Sequence, residues 1–447
     1  MIDSILHWNE IANEATRVDF SSPDPTVNPN PEQGGPTRTS RALAIVHLAM
    51  YDAYFGVVGG PTYLTYSAAE KPAINDLEIA QAAVATAAAL TLVSLYNRQR
   101  EVIRQRHVDF VAMLGDKDPN IARGIAWGQV VATKMLATRQ NDGSELSNEF
   151  YVPSSEPLRH RVDPLNPNQG FLGPLWGRVK PFGIADLIVK VPGLPPPPAT
   201  GNLYTNHFKE VRSVGRQQSG TRTSEQTTVG LFWAYDGARN IGVPPRLYNQ
   251  VVRAIAAEKG TNEAQNAKLF ALVNVAMADS GIQAWHEKYV HDIWRPIVGV
   301  REASPGYGPT GDGDGNPETV TDASWLPFGS PRTNQPQLSS FTPPFPAYPS
   351  GHATFGTAAL HVTKLHLGLN DQFAFKFVSD ELDGKSIDED DSVRVRHTRS
   401  LTIASAIEEN LSSRVYLGVH WRFDGDEGKK NGLKIADLIH GSFPALA

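Results

Sequence analysis

Three short segments of the chain have residue types that suit a site for a tetrahedral anion. They are residues 288–296 (KYVHDIWRP), 348–352 (YPSGH) and 413–424 (SRVYLGVHWRFD). Among their residues are three cations (Lys288, Arg295 and Arg414), a Ser-Gly turn and two histidines, His352 and His420. Cations and helix N-termini hold oxyanions, and histidines transfer protons or act as ligands. We therefore expect the three segments to meet in one cage for phosphate or vanadate.

The first segment places two cations seven residues apart. On a continuous helix, seven residues correspond to about 700°, which returns Lys288 and Arg295 to nearly the same face. Two cations on one face repel each other unless an anion lies between them, and Pro296 is expected to end the helix directly after Arg295. The alternative is a solvated basic edge. The neighbouring Trp285 and Trp294 favour burial over that alternative.

The second segment predicts the start of a helix. Ser350 suits an N-cap, which leaves backbone N–H groups of the first turn free to bind an anion. Gly351 has no side chain to keep an anion away from the backbone, and His352 would lie close enough to exchange a proton with it. An ordinary capped helix with an incidental histidine is the alternative for this segment.

The third segment combines Arg414 with His420. A continuous helix would separate the two by about 240°, so we expect the helix to end near Gly418 and the chain to turn back. The arginine would bind two anion oxygens, and the histidine would bond to phosphorus or vanadium. Asp424 would fix the histidine tautomer if a helix resumes there. A buried core histidine and a surface carboxylate are the alternatives.

The elements around these segments are predicted to be mostly helical, because apolar residues recur at helical spacing and strand-like alternation is rare. Two Pro- and Gly-rich stretches, residues 151–205 and 304–348, are predicted to be a connection between two helical halves and a lid or wall of the site. We place the domain boundary between 1–204 and 205–447. The predicted helices are residues 41–54, 79–96, 120–138, 223–235, 263–291, 350–367 and 402–417.

Composition excludes several classes of function. The 447 residues contain no cysteine, so disulfides and thiolate chemistry are excluded, and a net charge of -6 argues against a nucleic-acid partner. We find no apolar window of about 18 residues, which predicts no membrane span. Residues 1–20 carry four acidic side chains and do not resemble a signal peptide, so we expect a soluble protein. The compartment and the oligomeric state stay open, a homo-oligomer included.

The three segments resemble the signature of the vanadium-dependent haloperoxidases, which that family shares with type 2 phosphatidic acid phosphatases and bacterial acid phosphatases. The shared patterns are Lys-x6-Arg-Pro, Pro-Ser-Gly-His and Ser-Arg-x5-His-x3-Asp, and all three match without a substitution. Flanking stretches resemble the haloperoxidase branch in particular. They are residues 232–237, 244–249, 341–348 and 409–410.

The resemblance implies an all-α fold of two four-helix bundles joined by long Pro/Gly-rich loops, with the cofactor in the second bundle. It also implies roles by motif position, with His420 bonded to vanadium and His352 and Lys288 as the catalytic residues. Beside the ligand histidine, the cofactor-binding residues would be Lys288, Arg295, Ser350, Gly351, His352 and Arg414. Supporting residues would be Asp236, which holds Arg414, Asp424 beside the ligand histidine, and Trp285 and Phe345 on the halide side.

The activity implied by the resemblance is that of a vanadate-dependent haloperoxidase. Its partners would be hydrogen peroxide, chloride or bromide, and a small organic acceptor if any. The aromatic Phe345 resembles the chloroperoxidase branch. The alternative is an acid phosphatase with His420 as nucleophile, because phosphate and vanadate are isosteric and phosphate would occupy the same cage without vanadate.

Overall fold

A computed structural model describes residues 2–21, 30–72, 75–115, 118–146 and 150–444. These residues form fourteen α-helices and one two-stranded antiparallel sheet, so the predicted all-α class is confirmed. The outer limits of the predicted domains, residues 1 and 445–447, lie outside the described ranges. The first nine helices are α1 (Ser4–Asp19), α2 (Gly35–Val58), α3 (Leu77–Leu95), α4 (Arg100–Leu114), α5 (Pro119–Thr138), α6 (Leu187–Lys190), α7 (Asn202–Val214), α8 (Ser224–Phe232) and α9 (Pro244–Lys259).

The remaining elements contain most of the segments singled out from the sequence. They are α10 (Glu263–His291), α11 (Pro296–Glu302), α12 (Gly351–Leu367), β1 (Ala374–Val378), β2 (Thr398–Thr402), α13 (Ile403–Tyr416) and α14 (Arg422–Ser442).

The helices form two bundles of four. In the first, α3 packs against α2, α4 and α5; in the second, α12 packs against α10, α13 and α14. Packing of α2 against α10 joins the bundles, and one cluster of buried apolar side chains runs from Ile5 to Ile439 through both. The proposed boundary after residue 204 falls inside α7 and stays a prediction.

Helix α10 has the predicted limits because its ends carry strong local signals. Asn262 accepts a hydrogen bond from the N–H of Gln265, and the Gln265 side chain accepts one from the Asn262 N–H. This reciprocal capping box satisfies two N–H groups at the start of the helix. At the other end, Asp292 adopts a left-handed conformation with φ 55° and stops the helix.

Three expectations about the fold need correction. The helix predicted for 223–235 ends at Phe232, because Tyr235 has a positive φ of 41°. The hairpin of β1 and β2 was not predicted. The expectation that no segment is apolar enough for a membrane span was also wrong: α2 and α3 pass that test by length and composition. Both windows are mostly buried inside the bundles (83% and 72%), which is compatible with a soluble protein.

The loop formed by residues 304–348 forms a wall of the site. It has no helix or long strand, yet its backbone is fixed by specific pairs, such as Ser330 N–H to the Phe341 carbonyl at 2.8 Å. Its last residues turn their carbonyl groups inward, toward the end of α10. The prediction of a wall is therefore confirmed by the structure.

Candidate functional site

Lys288 lies in the last turn of α10 and is completely buried. Its Nζ donates to the carbonyl oxygens of Pro346 (2.8 Å), Ala347 (3.0 Å) and Pro349 (2.5 Å). Burial and, second, the charge of Arg295 lower the pKa of Lys288 well below its ordinary value. The three carbonyls engage all three ammonium hydrogens, so Lys288 acts on the site through its charge and not through a free N–H.

Arg295 does not share a helix with Lys288, so this part of the sequence interpretation was wrong. Helix α10 ends at His291, and Arg295 is extended (φ -79°, ψ 156°), as the residue before a proline prefers. Pro296 begins α11; it does not end α10. The two cations still face one site, because the turn at Asp292 redirects the chain.

Two of the three guanidinium nitrogens of Arg295 donate hydrogen bonds to the protein, and the third has no partner. Its Nε donates to the Phe345 carbonyl and its Nη1 to the Val419 carbonyl, both at 2.8 Å. Its Nη2 is buried and has no partner. Burial lowers the pKa of Arg295 to about 9, which leaves it charged at neutral pH. Nη2 is therefore a charged, buried donor without an acceptor among the described residues.

The N-terminus of α12 enters the same space. Ser350 is the N-cap, and its Oγ accepts from the Ala353 N–H at 3.4 Å. Its own N–H donates to the Asp424 carbonyl at 2.8 Å, which ties the start of α12 to α14. Gly351 lies against Trp285: a Cβ at this position would be 3.1 Å from the indole ring. The predicted cap is confirmed, and the first-turn N–H groups of α12 are those that bind anions.

His352, in the first turn of α12, is held through both its ring and its backbone. Its Nε2 donates to the Ala234 carbonyl at 2.6 Å; a carbonyl only accepts, so Nε2 carries the hydrogen. Its own carbonyl accepts from Tyr248 Oη and Asn410 Nδ2, both at 2.9 Å. Burial and the nearby Arg414 lower the pKa of His352 to about 3, so the ring is neutral and Nδ1 is its unprotonated nitrogen.

Arg414 offers the largest number of unused donors. Its Nη2 donates to Asp236 Oδ1 at 2.8 Å, in the pairing expected from the sequence. Its Nε and Nη1 are buried without a partner. A buried donor without a partner costs about 1–3 kcal/mol. The two groups are therefore well suited to receive anion oxygens.

His420 follows a sharp turn made possible by Gly418, which has a φ of +72°. A Cβ on Gly418 would lie 2.3 Å from the Gly215 carbonyl oxygen, so only glycine fits this close approach. The turn ends α13 at Tyr416, close to the predicted limit, and lets the histidine point back toward the arginines.

The tautomer of His420 is fixed by its two neighbours. Its Nδ1 is 2.8 Å from Asp424 Oδ2, in the first turn of α14, and its Nε2 is 2.9 Å from Arg295 Nη1. The arginine only donates, so Nε2 presents a lone pair and Nδ1 carries the hydrogen. Burial lowers the pKa of His420 well below its ordinary value. Burial also raises the pKa of Asp424. Neutral His420 can therefore act as a ligand or nucleophile through Nε2 once Arg295 Nη1 releases that lone pair.

A cavity of about 370 Å³ opens onto these groups. One side of it is aromatic: the rings of Trp285 and Phe345 lie 4.7 Å apart, with Lys288 Nζ 5.2 Å and Arg295 Cζ 4.9 Å from the Phe345 centroid. Asp236, His352, Arg414 and His420 line its polar end. Every site residue predicted from the sequence therefore lies in or next to one site.

Sequence reasoning missed several residues around this site. Tyr248 and Asn410 position His352, although both lie in flanking stretches already quoted for their resemblance. Arg332 and Phe341 line the cavity from the long loop. Their spacing carries no periodic signal, so only the tertiary fold shows that they face the site.

The residues present fit a tetrahedral oxyanion. Arg295 Nη2, Arg414 Nε and Arg414 Nη1 are buried donors without partners, and the His420 imidazole lies beside Arg295. Fold and site together define a helical two-bundle protein with a candidate oxyanion-binding centre in its second bundle.

Comparison with known proteins agrees with this class. Residues 268–446 match the family model described as the VCPO second helical-bundle domain, and residues 2–171 match that of the vanadium chloroperoxidase N-terminal domain. The vanadium chloroperoxidase of Curvularia inaequalis is 33% identical over 501 aligned residues, covering 94% of this chain and 78% of the relative. The chain belongs to the vanadium chloroperoxidase family, and the expected enzyme class, a vanadate-dependent haloperoxidase, is confirmed.

Solved structures show the same fold. A bacterial vanadium-dependent iodoperoxidase superposes with a TM-score of 0.74 at 21% identity, covering 98% of this chain and 96% of that one. A holo-type bacterial vanadium-dependent chloroperoxidase gives a TM-score of 0.64 at 16% identity, covering 95% and 96%. At these identities the likeness concerns the fold alone.

Proposed function

We propose that the protein uses hydrogen peroxide to oxidise chloride or bromide to a hypohalous acid equivalent, with vanadate held in the cage described above. Phosphate would occupy the same cage when vanadate is absent. The observation that carries this proposal is the set of three unpartnered guanidinium N–H groups beside the lone pair of His420 Nε2. Its support comes also from the curated relative, which is a vanadium chloroperoxidase.

The residues that would hold vanadate have three different functions. His420 Nε2 would bond to the metal, and Arg295 and Arg414 would donate to its oxygens together with the N–H groups at the start of α12. Lys288 would add a buried positive charge that its three carbonyl partners keep in place. When bound, vanadate supplies a Lewis acid that polarises the O–O bond of hydrogen peroxide without a change of metal oxidation state.

His352 would be the proton-transfer residue. Its Nε2 hydrogen is committed to Ala234, so its Nδ1 would accept the proton that hydrogen peroxide releases on binding. Tyr248 and Asn410 fix the His352 carbonyl, so the ring cannot shift without moving the helix start. Lys288 would stabilise the negative charge that develops as halide is oxidised, an effect that is large in a buried site.

The aromatic side of the cavity would receive the halide. Trp285 and Phe345 present apolar ring surface there, while Lys288 and Arg295 lie close to the Phe345 ring. A weakly hydrated anion is favoured in such a place, because the cations attract it and the rings displace its water.

An assay of the vanadate-loaded protein tests this function. Hydrogen peroxide with bromide or chloride should halogenate monochlorodimedone only after loading with orthovanadate. Absence of turnover, together with phosphate release from p-nitrophenyl phosphate, would support the phosphatase alternative. His352→Ala should retain vanadate and lose most halogenation; loss of vanadate by this variant would contradict its role in proton transfer.

A further inference from the structure

The cavity is larger than the proposed reaction of peroxide and halide requires. Its volume of about 370 Å³ is in the range that accommodates organic ligands. Beyond the cage it is lined mainly by apolar side chains. Those on the loop wall are Phe341, Pro343, Pro344 and Phe345.

One charged side chain, Arg332, stands on that wall. Its Cζ lies 4.0 Å from the Phe341 centroid, and it makes no side-chain hydrogen bond or ion pair with any residue of the described ranges. Its surroundings are fixed. The next residue, Thr333, is hydrogen-bonded to the buried Glu381 and Arg394, and Ser330 pairs with the backbone of Phe341. Arg332 is thus a half-buried cation on a rigid wall.

Asp163 is the acidic residue whose charge acts on Arg332, without forming an ion pair with it. Both oxygens of Asp163 accept hydrogen bonds at 2.9 Å, one from the Leu165 N–H and the other from Asn166 and the Thr342 N–H. Asp236, which also lines the cavity, pairs with Arg414. The charge of an oxyanion in the cage would be neutralised by Lys288, Arg295 and Arg414. Among the described cavity residues outside the cage, Arg332 is therefore the cation left for a second anion.

We propose, on the basis of the haloperoxidase function, that this cavity binds an aromatic organic acceptor bearing a carboxylate. The guanidinium fork of Arg332 would hold the carboxylate, and the ring would lie against Phe341 and Phe345. The hypohalous acid formed from peroxide, halide and a proton would transfer its halogen to the ring. A C–halogen bond replaces a C–H bond, and the ring proton leaves with hydroxide as water.

Direct binding tests the proposal without turnover. Calorimetry on the protein saturated with orthophosphate, which fills the cage so that its cations cannot take the carboxylate, would compare 4-hydroxybenzoate with its methyl ester, which keeps the ring and removes the charge. Arg332→Gln should weaken binding of the carboxylate about 10- to 100-fold, as expected for a charge-assisted pair, and leave the ester unchanged. Arg332→Lys should weaken it less. Arg239→Gln, which removes an exposed arginine of a neighbouring loop, is the matched control.

Steady-state kinetics provide a second test of the proposal. In the vanadate-loaded protein, Arg332→Gln should raise KM for 4-hydroxybenzoate and leave KM for peroxide and bromide unchanged. Equal carboxylate binding by wild type and Arg332→Gln, or a rise in the bromide KM alone, would overturn the proposal. Arg332-dependent binding in a protein without halogenation would overturn the haloperoxidase function and support the subsite, so the two failures are distinguishable.

Discussion

In both helical bundles, two glycines of one helix allow a close approach to the backbone of a neighbouring helix. The consequence of that approach differs between the bundles. In the first bundle, Gly124 and Gly128 bring α5 against α3. A Cβ at these positions would lie 2.4 Å from the Ile79 carbonyl oxygen and 2.5 Å from that of Ala83. In the second bundle, Gly428 and Gly432 bring α14 against α12 in the same way.

What differs is the part of the partner helix that is contacted. A Cβ at Gly428 would lie 2.7 Å from the carbonyl oxygen of Ser350, the N-cap of α12. The N–H of Ser350 donates to Asp424, the residue that orients His420. In the first bundle the close contact supports the fold, whereas in the second it also positions residues of the candidate anion site.

The bundles also differ in whether the hydrogen-bonding groups of their buried charged side chains have partners. Asp52 in α2 is fully buried and accepts hydrogen bonds from the N–H groups of Tyr63 and Leu64 and from the Tyr66 hydroxyl. In the second bundle Arg295 and Arg414 keep donors without partners. The satisfied Asp52 supports the structure of the first bundle, whereas the unpartnered donors of Arg295 and Arg414 mark the candidate binding site of the second.

The largest effect is expected from loss of the ligand histidine. His420→Ala should lower vanadate affinity by about 100-fold or more, because it removes the nitrogen that would bond to vanadium under the proposed function. His47→Ala, which removes a fully buried histidine of the first bundle, should lower stability and leave affinity unchanged. Equilibrium dialysis with vanadate measures both. Equal affinity in wild type and His420→Ala would refute the ligand assignment.

Loss of the partner of that histidine should have the next largest effect. Asp424→Asn should weaken vanadate binding about 10- to 100-fold, because a neutral amide no longer fixes the His420 tautomer. The matched control is Asp52→Asn in the first bundle, which should change thermal stability alone. Vanadate titration in a calorimeter distinguishes the two variants, and unchanged binding by Asp424→Asn would show that the carboxylate has no part in orienting the ligand.

The glycine pairs test the comparison directly. Gly428→Ala and Gly124→Ala should each lower the free energy of unfolding by about 1–3 kcal/mol, because each added methyl group forces two helices apart. Only Gly428→Ala should also weaken vanadate binding, by roughly threefold to tenfold, since it displaces the start of α12. Denaturant unfolding and vanadate titration check the two parts. Equal affinity losses in both variants would contradict the distinction between the bundles.

The smallest effect concerns pH. The carboxylate of Asp236 raises the pKa of His352 and Arg414 lowers it, so Asp236→Asn should lower this pKa further. His352 would then stay neutral to a lower pH, and the acidic limb of log kcat/KM for peroxide should move to lower pH. Asp437→Asn, on the exposed surface, should leave the profile in place. A shift of the limb to higher pH would contradict this assignment.

The sequence predicted the site more fully than the path of the chain through it. Motif residues were brought together as expected, and α10 has the predicted limits because its capping box is a local signal. Arg295 was assigned to the helix of Lys288 because seven-residue spacing fits one helical face. The left-handed conformation of Asp292 ends that helix. The spacing of residues in the sequence does not indicate such a turn.

Helix α14 shows why other elements escaped prediction. It contains four glycines, which lower helix propensity, and charged residues on several faces. Gly428 and Gly432 are favourable only because α12 lies directly against them. Tertiary packing therefore specifies this helix, and a single sequence does not display that contact. Helix α4 was missed for a related reason, because most of its surface is exposed and its apolar periodicity is weak.

A crystal structure of the protein with orthovanadate tests the central claim most directly. We predict density for one tetrahedral or five-coordinate vanadium bonded to His420 Nε2, with its oxygens within hydrogen-bond distance of Arg295 Nη2 and of Arg414 Nε and Nη1. Vanadate bound elsewhere in the cavity, for example at Arg332, with no bond to His420 would contradict it.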